Sequence, residues 1–192
     1  MRQTHWKNVP VPARMARLSR DTRGFPVPVV VARDLMGKPT FQVNDIGLVF
    51  SCIKAKTCSI CGEGLGRDMW LIGGPLSAFH PDGAFNDPPV HKECGEYALR
   101  VCPYLVYSSY KGWADASKLE QRFEGVKLAD PTQMDIRVPF FAFVKIMAFQ
   151  TNVRPPHRAI IPLRPYLEVE YWRDGARITE KEARTLMVGY KG

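Results

Sequence analysis

The apolar positions along this chain change period several times, and each change marks an element. Val27–Ala32 is an apolar run suited to a buried strand, Asp34–Pro39 carries turn chemistry, and Thr40–Val43 predicts the returning strand of a hairpin. Ile46, Val49, Phe50 and Ile53 then fall at i, i+3, i+4 and i+7, which predicts a helix from Asp45 to Lys56 with Asn44 as its N-cap. Cys52 lies beside that stripe and reads as a spare thiol. Asp68–Ile72 predicts a strand and Leu76–Pro89 a long loop. A helix follows from Val90, where Cys94, Ala98, Val101, Cys102 and Leu105 share one face and Cys102 is a packing residue. Further on, a short helix is expected over Ala116–Phe123, and Val138–Gln150 carries the strongest strand signal. In Tyr166–Trp172 strict alternation predicts Leu167, Val169 and Tyr171 facing inward and Glu168 and Glu170 outward. Asp174-Gly175 turns the chain, and Thr179 with Glu182 forms a capping box that opens a last helix toward Met187. The elements add up to an α+β fold: a small antiparallel sheet with two or three helices.

Charge changes this picture by dividing the chain. The formal net charge is +8. Residues 1–57 carry +7, residues 58–105 carry −3, and residues 106–192 carry +4. An N-terminal arm, residues 1–23, holds Arg2, Lys7, Arg14, Arg17, Arg20 and Arg23 against the single acid Asp21. Arg154 and Arg158 bracket a stiff basic loop. Phosphate affinity comes largely from Lys and Arg, so these two regions are the candidate surfaces for nucleic acid or an acidic protein, and the acidic middle is not. Residues 24–192 are expected to form one domain. The longest apolar run, Val138–Phe149, is too short for a bilayer and is broken by Pro139 and Lys145, so no membrane contact is expected. No signal peptide is visible, and a cytoplasmic setting is expected.

The chemistry is concentrated in the acidic middle. Cys58 and Cys61 form a Cys-x2-Cys pair, and His91 and Cys94 a His-x2-Cys pair about thirty residues later. Two intervening residues let a tight turn aim both donors of a pair at one ion, a spacing typical of tetrahedral zinc. The expectation is a structural Zn2+ held by Cys58, Cys61, His91 and Cys94, inside a module spanning residues 58–105. Knuckle, strand, then a helix whose first turn supplies the second pair is the order of a treble-clef zinc module, which serves many functions and specifies none.

Catalytic sets are scarce. There is no Gly-x-Ser-x-Gly, no P-loop and no dinucleotide glycine pattern. The enzymatic alternative is an HNH-like metal-dependent nuclease using His80 and Asn86, but no Asp or His immediately precedes His80 and the His80–Asn86 spacing is short. The expectation is therefore a non-enzymatic, zinc-stabilised binding protein, with aromatics such as Trp6, Tyr107, Tyr110 and Trp113 available to stack on bases.

Several landmarks occur together: Arg23-Gly-Phe-Pro26, Gly37-Lys-Pro-Thr-Phe41, the stretch Cys58–Gly66, Pro89–Ala98 with Cys102–Leu105, and Val169–Trp172 leading to Thr179–Glu182. In combination they resemble a family of small proteins from bacterial and phage genomes, over about residues 21–187. The resemblance brings no activity with it. It implies a cytoplasmic protein, of the host cell where phage-encoded, with a zinc knuckle.

Overall fold

The computed structural model describes residues 8–106, 138–154 and 157–190. The helix expected over Ala116–Phe123 lies outside them, as do Arg2, Trp6, Lys7, Tyr107, Tyr110 and Trp113. The fold is α+β, with several small antiparallel sheets and five α-helices among the described residues.

A first hairpin is formed by β1 (Val31–Arg33) and β2 (Pro39–Asn44). Strand β1 is shorter than the apolar run predicts because Pro26 and Pro28 have no N–H to offer a ladder. Their neighbours bond irregularly instead: Val27 N donates to Ser19 O, and Val29 N to Ile60 O. Helix α1 (Ile46–Ala55) follows, capped by Asp45 rather than Asn44; the Asp45 carboxylate accepts from the amides of Gly47 and Leu48. Cys52 is on the buried face of α1, not beside it, and packs with Val30 and Val49 in a small second core.

The central sheet has the order β3 (Met69–Gly73), β4 (Phe141–Ile146), β7 (Glu168–Arg173), β8 (Ala176–Ile178), all antiparallel. Short helices α2 (Pro75–Phe79), α3 (Lys92–Val101) and α4 (Pro103–Val106) lie between β3 and β4 in sequence. Helix α2 sits where the sequence predicts a loop. It is little more than one turn, started by Pro75 at its first position, and too short to show a period. The apolar stretch expected as one strand is two, β4 and β5 (Phe149–Arg154), interrupted at the exposed Met147. Strand β5 pairs with β6 (His157–Pro162), so the basic segment expected as a loop is the tip of a two-stranded ribbon. The Phe85↔Ile160 bridge ties that ribbon to the segment before α3. Helix α5 (Glu180–Met187) opens with the expected capping box.

The alternation expected in β7 holds only in part: Glu168 is exposed and Val169 packs against the main core, as expected. Glu170 and Trp172 are buried and Leu167 is exposed. Trp172 outweighs Leu167 in apolar area, and Glu170 goes in with it because partners meet it there. Its Oε2 accepts from Trp172 Nε1 and Arg177 Nε at 3.0 Å each. Its Oε1 lies against Lys92 Nζ at 3.1 Å and the Arg177 guanidinium, although without an aligned donor. In β4, Ala142, Phe143, Val144 and Ile146 are all fully buried, so both faces of this strand are covered.

Helix α3 approaches the sheet through Gly95, where a Cβ would lie 2.5 Å from the Phe143 ring and 3.0 Å from Val90. Gly95→Ala gains about 1 kcal/mol of helix propensity. The buried ring cannot give way freely, and overpacking costs about 1–3 kcal/mol. A net loss of stability in urea denaturation is expected.

Candidate metal centre

The knuckle is built by local hydrogen bonds. Cys58 N donates to Glu63 O and Gly62 N to Cys58 O, both at 2.8 Å, which closes the chain tightly between the two cysteines. Gly62 sits at φ +78°, a backbone conformation that glycine adopts without strain. The second ligand pair is delivered by strand and helix together. Trp70 and Val90 exchange backbone hydrogen bonds, placing the residue before His91 against β3. His91 is the N-cap of α3, and Cys94 lies in its first turn. Ser59 N and Oγ donate to Pro89 O and Pro88 O, joining the knuckle to the segment that enters α3.

The two pairs converge. All four donor atoms of Cys58, Cys61, His91 and Cys94 lie within 4.8 Å of one another, and all four residues are buried. Among the described residues this is the one His/Cys/Asp/Glu group placed to hold a metal ion. A tetrahedral ion with thiolate sulfur at about 2.3 Å and imidazole nitrogen at about 2.0 Å sets a sulfur–nitrogen edge of about 3.5 Å. Cys61 Sγ and His91 Nδ1 are 3.4 Å apart. On its other side the ring places Nε2 3.0 Å from Gly64 O; as a donor there it leaves Nδ1 with its lone pair toward the sulfurs, the orientation a metal ligand needs.

The electrostatics ask for a cation. Hydrogen bonding from Cys94 and nearby amides lowers the Cys58 thiol to about 5. Burial and the neighbouring Cys58 charge push Cys61 up to about 11, and a hydrogen bond to Cys58 together with burial pushes Cys94 further still. The trio thus holds one negative charge on its own, and three thiolates can share this space only around a positive ion. Cys102 stands apart at the end of α3, its thiol pushed up by burial, and Cys52 is likewise outside the quartet.

Much of the basic arm turns out to serve this centre. Met15 is buried in the main core, packed through a short 3-10 turn at Ala13–Met15. Arg14 bridges Glu63 of the knuckle and Glu93 of α3, both at 2.7 Å. Arg17 donates to Cys61 O at 3.0 Å. Arg20 donates to Gly24 O, and Arg23 pairs with Asp21 while lying over the Phe25 and Phe41 rings. These four arginines therefore have partners within the chain, two of them on the acidic module itself. Sequence distance hides this: Arg14 and Glu93 are 79 residues apart. Arg154 and Arg158 lie at the ribbon tip, where Arg154 pairs with His157 and Val153 with Arg158. His80 ends α2 and its Nδ1 accepts from Asp82 N, outside the metal quartet. Among the described residues no helix is long and apolar enough to cross a membrane.

No family model, curated protein or solved structure matches this chain, so its functional reading rests on its own residues.

Proposed function

We propose that this chain is a zinc-stabilised, non-enzymatic binding protein that takes up nucleic acid through the basic tip of the β5–β6 ribbon. The observation that carries the first half is the closed donor set. Cys58, Cys61, His91 and Cys94 offer four protein ligands in a buried site, which is the structural arrangement, whereas catalytic zinc keeps a position open for water or substrate. Sulfur-rich tetrahedral ligation favours zinc over the hard cations. A reducing cytoplasm, as the resemblance to bacterial and phage proteins implies, keeps such thiols available to the metal.

The second half rests on where the fold brings basic residues together. Arg14, Arg17 and Arg23 hold the metal module and their own loop together, whereas the register of β5 and β6 brings Arg154 and Arg158 to the ribbon tip. A two-stranded ribbon is a shape the major groove of DNA admits. The test is a fluorescence titration of the zinc-loaded protein against duplex and single-stranded DNA and RNA, at low and physiological salt. Arg154→Ala/Arg158→Ala should reduce the slope of log affinity against log salt by about 2 on duplex DNA. Deletion should be confined to residues 1–7, because Met15 belongs to the core. Absence of binding at low salt would sink the nucleic-acid reading, and recovery of a stable complex with an acidic protein, free of nucleic acid, would put that partner in its place.

A further inference from the structure

Behind the metal module lies a cleft of about 450 Å³, bounded by the β1–β2 hairpin, the segment 23–28 and helices α3 and α4. Its volume falls within the range of small-ligand sites, about 300–1,000 Å³.

The wall is poor in groups that water could use. Pro26, Pro28, Pro39, Pro88 and Pro103 all line it, and a proline has no N–H to donate. Between them stand buried apolar residues of the main core, among them Phe25, Ile60, Val90 and Val101. Aromatic faces come from Phe25, Phe41 and Tyr97, the Tyr97 phenol pushed up by burial. Lys38 and Arg23 contribute two cations; Arg23 gives its Nε to Asp21, which lies outside the wall, and its terminal nitrogens make no hydrogen bond among the described residues. Asp87 is the only carboxylate in the wall, and one of its oxygens accepts from Asn44 Nδ2 at 3.1 Å. The Lys38 side chain is exposed and forms no ion pair among the described residues. Its backbone is fixed independently, since Lys38 N donates to the Asp34 carboxylate and Asp34 N to Lys38 O.

We infer that this cleft is a binding site for a small amphipathic anion, with an apolar body against the proline and aromatic wall and one anionic head at Lys38 and Arg23. Apolar burial supplies the affinity, and the two cations set the orientation. The reading is independent of nucleic-acid binding, because neither cation belongs to the ribbon tip.

An acyl chain and an aromatic ring system could each provide the body, and calorimetric titration of the zinc-loaded full chain distinguishes them. One arm uses dodecanoate and the other 1-naphthoate, each alongside its neutral alcohol. At least one anion should bind with 1:1 stoichiometry, about tenfold more tightly than its alcohol. Lys38→Glu should remove that preference without disturbing the turn. Thr40→Trp, which fills the cleft from the half-buried second position of β2, should abolish binding while the zinc content stays full. The inference fails if neither anion binds at concentrations up to about 1 mM. It fails equally if Thr40→Trp leaves binding intact, or if the alcohols bind as well as the acids.

Discussion

Cys94→Ser is expected to lose the metal and to unfold far more than the 58–105 segment. The ligand cysteines are not an appendage: Cys58, Cys61 and Cys94 belong to the same continuous core as Phe143, Val144 and Trp172 of the central sheet. Structural zinc sites contribute apparent binding energies of about 10–16 kcal/mol in small zinc-dependent peptides, as much as the whole stability of an ordinary domain. If only about 5 kcal/mol of that is realised here, the melting temperature should fall by about 10–20 °C. Chelation of the wild-type protein gives the same comparison without a mutation, and guards against a variant that never folds. Metal binding should also depend steeply on pH. Between about 5, where Cys58 titrates, and about 11, where Cys61 does, two of the three thiols remain protonated before the ion enters. Protons leave on binding, so affinity rises with pH across that window and falls as the solution is acidified. Full zinc occupancy with an unchanged melting curve in Cys94→Ser would show that Cys94 is not a ligand on which the metal and the fold depend.

What could be read from the sequence divides according to how local the cause is. The two ligand pairs, the Thr179–Glu182 capping box and the Asp174-Gly175 turn were legible because each is set by residues within a few positions of one another. The one-residue displacement of the α1 cap, from Asn44 to Asp45, is the ordinary ambiguity of two adjacent capping residues. Longer-range causes were hidden. Alternation misassigns β7 because Glu170 finds its cations on Lys92 and Arg177, and a polar residue goes inside when partners wait there. It is also silent in β4, whose two faces are both buried. The arm reads as a surface for an outside partner until Glu63 and Glu93 are brought beside Arg14 by the same folding that assembles the metal centre. That pairing makes the acidic balance of the module intelligible: part of its negative charge is a socket for the residues that precede it in the chain.

Trp70→Ala should carry the second largest cost, and should weaken metal binding as well as the fold. Trp70 is fully buried on β3, its ring centroid 4.6 Å from that of Phe143 on the neighbouring strand. Its backbone exchanges hydrogen bonds with Val90, so the same residue joins the sheet to the approach of His91. On the outer side Lys92 Nζ lies 4.7 Å from the ring centroid and Trp70 Nε1 donates to Asp68 Oδ1 at 2.7 Å. The polar contacts are the smaller part. The cation over this ring contributes about 1–2 kcal/mol and the hydrogen bond about 1 kcal/mol, whereas a buried Trp→Ala typically costs about 3–5 kcal/mol through lost burial and the cavity left behind. The cavity would open directly behind the first turn of α3, and outer-shell disruption of metal sites commonly weakens affinity by about 10–100-fold. Trp70→Phe separates the two contributions: it keeps most of the packing against Phe143 and loses the Asp68 bond. Its stability should therefore lie nearer to wild type than to the alanine variant in chemical denaturation, and its zinc affinity, measured by competition with a chromophoric chelator, should stay within about tenfold of wild type. If Trp70→Phe proves as damaging as Trp70→Ala, the indole N–H and its carboxylate hold the module to the sheet, and packing is secondary.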